Sequence, residues 1–173
     1  MSSLIVSHGR GGETMQKKGR TIYQTARLYA DLTQESASEL LNISCKSIGT
    51  YERGETIPPD EIVIAMVELY NTPWLSYMHL KINNPVGKKY LPDIQLRELS
   101  SSILDLQVEM DNANKVQLGI ATMGRDNIVD RDEAPQWKGY MSNLRSLGGA
   151  LFSVVFAPIQ KEKSPVLVHR RLS

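Results

Sequence analysis

Short apolar repeats and helix-capping residues alternate along residues 21 to 80, and this alternation most constrains the fold. Thr33 and Ser44 are good N-caps, and each precedes a segment with one apolar face. Gly54 lies where a C-terminal cap is expected, and two prolines, Pro58 and Pro59, follow it. This part of the chain is therefore predicted to be a run of short helices and not one long helix.

The apolar positions define five such helices. They are Ile22, Ala26, Tyr29 and Ala30 in the first, Ala37, Leu40 and Leu41 in the second, Ile48 and Tyr51 in the third, Ile62, Met66, Leu69 and Tyr70 in the fourth, and Trp74, Leu75 and Met78 in the fifth. The second and third helices are separated by about three residues, which is typical of a helix-turn-helix.

The residues of these two helices resemble those of a known family. They are Leu32-Thr33-Gln34-Glu35, Ala37, Leu40-Leu41, Ile43-Ser44, Ile48, Tyr51-Glu52-Arg53-Gly54 and Pro58. Over about residues 21–80 the chain resembles the XRE family of lambda-repressor and Cro-like DNA-binding domains. The resemblance implies a five-helix domain whose third helix, residues 44–53, enters the major groove of double-stranded DNA.

The third helix has an outward face that is free to meet DNA. Its apolar residues point inward, which leaves a set of positions for the groove, and the family resemblance indicates the same four: Cys45, Lys46, Gly49 and Thr50. Lys46 can donate to guanine, and Thr50 can offer its hydroxyl or its methyl group. Gly49 has no side chain and is expected to permit close approach only.

Further contacts follow from the resemblance. It implies that Gln34, Ser47 and Arg53 contact phosphates, and Ser44 is included in the interface as the first residue of the reading segment. A second role for Arg53, a favourable charge at the helix C-terminus, stays open. Arg27 and Glu52 match a structural ion pair of lambda-repressor-like domains.

The second half of the chain carries two heptad-like apolar seams. Leu96, Leu99, Ile103, Leu106, Met110, Ala113 and Ile120 lie on the first, and Trp137, Met141, Leu144, Gly148, Leu151 and Val155 on the second. Two long helices, over about 94–122 and 133–156, are predicted, joined by a polar turn. The fold class is thus all-α, with an antiparallel helical hairpin after the five-helix domain.

A hairpin of this size has more apolar surface than it buries by itself. We expect it to form a homodimer as a four-helix bundle through Leu99, Ile103, Leu106, Leu144, Leu151 and Val155. The alternative is that the hairpin packs back onto the N-terminal domain.

Charge and breaker residues set the domain boundaries. Residues 1–20 and 158–173 each have a net charge of +3, whereas residues 93–157 have −3. Both ends are predicted to be flexible, either as solubilising tails or, at the N-terminus, as an arm that contacts DNA. The domains are then 21–80 for DNA binding, 81–93 as a linker rich in breakers, and 94–157 for dimerisation.

Several function classes are excluded. A single cysteine and three scattered histidines form no metal site, and the acidic residues between the two long helices lack the spacing of a calcium loop. No catalytic arrangement or nucleotide-binding loop is present, so neither an enzyme nor a cofactor is expected. No segment resembles a secretory signal or a membrane span, and a cytoplasmic protein is predicted.

The sequence therefore predicts a sequence-specific transcriptional regulator, a dimeric repressor of an inverted-repeat operator. The layout also resembles small XRE-type regulators of Firmicutes and their mobile elements. An antitoxin or protein-interaction adaptor, whose hairpin binds a regulatory protein partner and whose helix-turn-helix serves autoregulation, is the alternative.

Overall fold

The structure is a computed structural model that describes residues 20–157, and within this range every regular element is helical. In chain order the helices are α1 (Ile22–Tyr29), α2 (Gln34–Leu41), α3 (Cys45–Glu52), α4 (Asp60–Tyr70), α5 (Trp74–Asn83), α6 (Pro85–Tyr90), α7 (Leu99–Met123) and α8 (Ala134–Val155). A single 3-10 turn, Gly124–Asp126, follows α7. The predicted all-α class is confirmed.

Helices α1 to α5 surround one apolar core. Ile48 of α3, Met66 of α4 and Leu75 of α5 are fully buried at its centre, and Ala26 of α1 and Ala37 of α2 are fully buried in the same core. Helices of eight to eleven residues are not stable alone in water. The shared core is therefore what holds this domain together.

The segment predicted as a linker, residues 81–93, is mostly helical. It contains the end of α5 and the helix α6, because Asn84 and Pro85 start a helix here. The Asn84 Oδ1 atom accepts hydrogen bonds from the backbone N–H groups of Val86 and Gly87, at 2.8 and 3.2 Å. Asparagine at the N-cap and proline at the first helical position both favour initiation.

The first long helix begins later than the sequence pattern predicts, at Leu99 instead of residue 94. The residues before it run in non-helical conformation along the N-terminal domain, where Leu96 is buried in the core of α1 to α5. The Tyr77 hydroxyl donates to the Pro92 carbonyl at 2.7 Å. Leu96 has the spacing of the α7 seam but packs in the other domain, which only tertiary contacts decide.

Helices α7 and α8 form the predicted antiparallel hairpin. The tyrosine Tyr140 of α8 lies directly against Gly119 of α7, where any larger side chain would overlap the phenol. The helices meet along their length. At the open end, Phe152 and Phe156 pack against Tyr77 of α5, with ring centroids 5.3 and 5.4 Å away.

This open end attaches the hairpin to the DNA-binding half. The backbone N–H of Gln95 donates to the Ser153 hydroxyl at 2.9 Å, and Gly149 lies against the Asp93 carbonyl. The alternative arrangement, in which the hairpin packs against the N-terminal domain, thus occurs at this end of the hairpin. It uses one side of α8 and leaves Leu144, Leu151 and Val155 exposed.

Two glycines of α8 provide a matched test of this attachment. In Gly149→Ala the new methyl group would overlap the Asp93 carbonyl, so we expect the free energy of unfolding to fall by about 1–3 kcal/mol. Gly139 has no neighbouring atom within 4 Å of a Cβ, and Gly139→Ala should be neutral or stabilising by up to about 1 kcal/mol. Urea unfolding of both variants measures these free energies. If Gly149→Ala is as stable as Gly139→Ala, Gly149 does not pack against the Asp93 carbonyl.

Candidate nucleic-acid interface

Helices α2 and α3 and the turn between them form a helix-turn-helix whose ends are set by local hydrogen bonds. The Thr33 hydroxyl caps α2 by accepting from the Ser36 N–H at 3.1 Å, and the Ser44 hydroxyl caps α3 by accepting from the Ser47 N–H at 3.0 Å. Between them Asn42 has a positive φ of 52°, which asparagine tolerates well. The start of each helix and the turn between them are thus favoured by local residue preferences.

The inward face of α3 is held by burial. Ile48 is fully enclosed, and Glu52 is buried beside α1. Lys46, by contrast, is exposed, and Thr50 is half-buried on the same outward side. Three of the predicted groove-facing residues, Cys45, Lys46 and Thr50, are therefore at least partly accessible on one surface of the domain.

A buried ion pair joins α1 to α3. The Arg27 guanidinium donates from Nε and Nη2 to the two carboxylate oxygens of Glu52, at 2.5 and 2.8 Å. The hydrogen bond to Glu52 raises the pKa of Arg27 above its ordinary value. Arg27 also donates from Nη1 to the Leu32 carbonyl at 2.6 Å. This hydrogen bond ties the segment just before α2 to the same guanidinium.

The same carboxylate orients Gln34, the first residue of α2. Its Nε2 donates to Glu52 Oε2 at 2.9 Å, which uses one of the two N–H groups of the amide. The other N–H stays available to an outside acceptor. Glu52 therefore links the residue that the resemblance assigns to a phosphate contact with the helix assigned to base contacts.

Thr50 and Ser47 already have hydrogen-bond partners within the domain. The Thr50 hydroxyl donates to the Ser47 carbonyl at 2.8 Å and accepts from the Thr56 hydroxyl at 2.9 Å. The Ser47 hydroxyl pairs with that of Ser44 at 2.8 Å. Of the two groups that Thr50 offers, the methyl group is thus the one without an internal partner.

Arg53 differs most from the expectation of a free phosphate-binding cation. Its side chain is exposed and forms an ion pair with Glu55, with Nε to Oε1 at 2.6 Å. The same side chain lies over Gly49, and their proximity explains why this glycine is buried on an otherwise accessible face. The sequence pattern did not single out Glu55, although its place just after Gly54, with a positive φ of 72°, brings it back toward Arg53.

The net charge of residues 21–157 is negative and therefore unfavourable for binding DNA. Residues 21 to 157 contain 12 basic and 17 acidic side chains. Any attraction to DNA phosphates would have to come from local cations such as Lys46 or from the basic ends. Except for Arg20, those ends, residues 1–20 and 158–173, lie outside the described residues.

A comparison with protein families agrees with this geometry. The family model described as helix-turn-helix matches residues 15–75, which include α1 to α4 and the start of α5. This part of the chain belongs to the XRE family of helix-turn-helix domains. The match supports a DNA-binding helix-turn-helix regulator. Searches of the curated proteins and of the solved structures gave no match.

The hairpin lies beyond the matched range. None of the helices within residues 20–157 is both long enough and apolar enough to cross a membrane. The described part of the chain thus consists of the XRE domain, the short α6 and the hairpin of α7 and α8.

The Arg27–Glu52 pair should be required for the stability of the XRE domain. Removing either partner leaves the other charge buried, so Arg27→Ala and Glu52→Ala should each lower the free energy of unfolding by about 3 kcal/mol. Arg97→Ala is the control, because Arg97 pairs with Asp105 at the surface and should contribute less than about 1 kcal/mol. Thermal unfolding checks this, and unchanged midpoints for the first two variants would exclude a structural role.

Proposed function

We propose that the protein is a dimeric, sequence-specific repressor in which each α3 enters a major groove of an inverted-repeat operator. The observation that carries this proposal is the division of α3 into two faces. Its inner face is fixed by Ile48 and by the Arg27–Glu52 pair, and its outer face is accessible at Lys46. A helix fixed in this way can present side chains to base edges without reorganising.

Each predicted contact has a defined task in this proposal. Lys46 donates to guanine O6 or N7, and the Thr50 methyl group contacts a thymine methyl group. Gln34 donates its second amide N–H to a phosphate, as the hydrogen bond to Glu52 leaves it free to do. Ser44, Cys45 and Ser47 lie at the N-terminal end of α3, the end that approaches the bases in this kind of docking.

Dimerisation through the hairpin is supported by an exposed apolar face. Leu151 and Val155 each lie two residues after a residue that packs on the N-terminal domain, Gly149 and Ser153 respectively. Two residues correspond to a rotation of about 200° about a helix axis. Both side chains therefore point away from the attachment, and both are exposed, at 49% and 62%.

Helix α7 also carries exposed apolar side chains. Ile103 and Met110 are 41% and 51% exposed. Together with Leu144, Leu151 and Val155 of α8 they form apolar surface that a second copy of the hairpin would cover in a four-helix bundle.

The dimer determines the form of the operator. Two copies related by a twofold axis bind two half-sites of opposite direction, with centres about 34 Å or a multiple apart. Repression needs nothing more than occupancy of such a site, because the bound dimer excludes RNA polymerase from overlapping promoter DNA.

The role of Lys46 can be tested by selecting operators from genomic fragments. Wild-type protein should retain a few fragments that share an inverted repeat, and Lys46→Ala should lose discrimination of about tenfold or more at one base pair per half-site. Affinity should also fall steeply with salt, since phosphate contacts release counterions. Fragment sequencing and binding isotherms at two salt concentrations measure both effects.

A matched control uses Lys115, a lysine of α7 in the hairpin. Lys115→Ala should keep the same operators and the same base preferences. If Lys46→Ala also leaves the preferred site and its affinity intact, α3 does not read DNA through this face.

The dimer face can be tested by two leucines of the hairpin. Leu151→Glu places a charge on the proposed interface and should convert the dimer into a monomer. Leu104→Glu is the control, because Leu104 is 63% exposed and lies about 200° around α7 from Leu106. Light scattering at micromolar concentration gives the masses, and a monomeric wild type would overturn the dimer and favour a different protein partner for this face.

A further inference from the structure

The exposed Arg53 side chain is bent back over α3 by an ion pair. Its Nε and Nη2 atoms donate to the two oxygens of the Glu55 carboxylate, at 2.6 and 2.9 Å. The turn that carries Glu55 is itself fixed, because the backbone N–H of Glu55 donates to the Thr50 carbonyl at 2.9 Å. The guanidinium therefore has a carboxylate support that is tied to α3.

Gly49 provides the space in which this guanidinium lies. A Cβ at position 49 would be 2.8 Å from Arg53 Nη1, too close for any side chain to fit without displacing the arginine. Arg53 follows Gly49 by four residues and Thr50 by three, so all three share one side of the helix. Although Arg53 is the C-cap of α3, its guanidinium reaches back by one turn and covers Gly49, the groove-facing position at which the sequence supplies no side chain.

The geometry of the pair leaves a complete donor edge free. An arginine has five N–H donors, and Glu55 takes one from Nε and one from Nη2. The unused donors, on Nη1 and on the second position of Nη2, form the end of the guanidinium. Two parallel donors in this spacing match the O6 and N7 acceptors of guanine.

The ion pair also makes Arg53 poorly suited to a phosphate contact. A glutamate is ionised at neutral pH, and the hydrogen bond from Arg53 lowers the pKa of Glu55 further. Its negative charge offsets the attraction of the arginine for DNA phosphates. What remains is directional hydrogen bonding, which serves base recognition better than electrostatic anchoring.

We propose that Arg53, supported by Glu55 and seated over Gly49, is a base-reading residue that recognises a guanine in the major groove. This inference rests on the proposed function of α3 and adds a second specificity position to that of Lys46. It replaces the phosphate contact that the family resemblance implies for Arg53.

The test is selection from a random-sequence duplex DNA pool with full-length wild-type protein and three variants. Arg53→Lys keeps the charge but loses the two-donor edge, so preference for guanine at one position per half-site should fall about tenfold or more while the other positions keep theirs. Glu55→Gln should weaken the same preference although it removes a negative charge. Its affinity for unrelated DNA should rise.

Gly49→Ala tests the seat of the arginine and controls for folding. Alanine favours a helix more than glycine does, so the variant should unfold at the same temperature as wild type or higher. Because the arginine must move, guanine preference at the Arg53 position should fall as in Arg53→Lys. A stable Gly49→Ala variant with unchanged base preference would overturn the seating of Arg53.

Two further outcomes separate this inference from the function on which it rests. If Arg53→Lys selects the wild-type motif with the same preferences and uniformly weaker binding, Arg53 is a phosphate contact and the inference is wrong. If the wild-type protein selects no motif, sequence-specific binding itself fails, and base reading by Arg53 fails with it.

Discussion

The carboxylate of Glu52 is the group on which the arrangement of the XRE domain depends. It accepts two hydrogen bonds from Arg27 of α1 and one from Gln34 of α2, while belonging to α3. Three short helices thus meet at one buried charge. A hydrophobic contact could hold them together, but it would not fix their orientation, because apolar packing has little directional preference.

This dependence connects the stability of the domain to its proposed contacts with DNA. The orientation of α3 sets where Lys46 lies, and the same carboxylate sets where the Gln34 amide lies. Arg53 and Glu55 repeat the principle at the surface, where a carboxylate again fixes a donor group. The interface is therefore organised by side-chain pairs within the protein before any DNA is bound.

The hairpin follows a different physical rule. One side of α8 is used to attach it to α5 and to the segment before α7, through Phe152, Phe156 and Ser153. The opposite side of the same helix still carries Leu144, Leu151 and Val155, which are exposed. A typical amphipathic helix has one apolar face to bury, whereas α8 has two. The second face is the surface proposed for dimerisation.

Much of the fold could be predicted from the sequence where local preferences decide. Thr33 and Ser44 cap the helices that they were expected to cap, and the heptad-like spacing predicted two long helices of nearly the observed length. Asn84 and Pro85 were interpreted as breakers although they also start helices, so α6 was missed. The DNA contacts remain predictions, since their test is the complex with DNA.

The sequence by itself determined most of the helices and the caps of α2 and α3, because these depend on residues within one or two turns of each other. Only the tertiary structure decided that Leu96 packs in the XRE domain instead of the hairpin, and that Gln34 shares the Glu52 carboxylate with Arg27. It also placed Arg53 over Gly49 through Glu55. These outcomes depend on which surfaces meet when the chain folds, and spacing along the sequence does not contain that information.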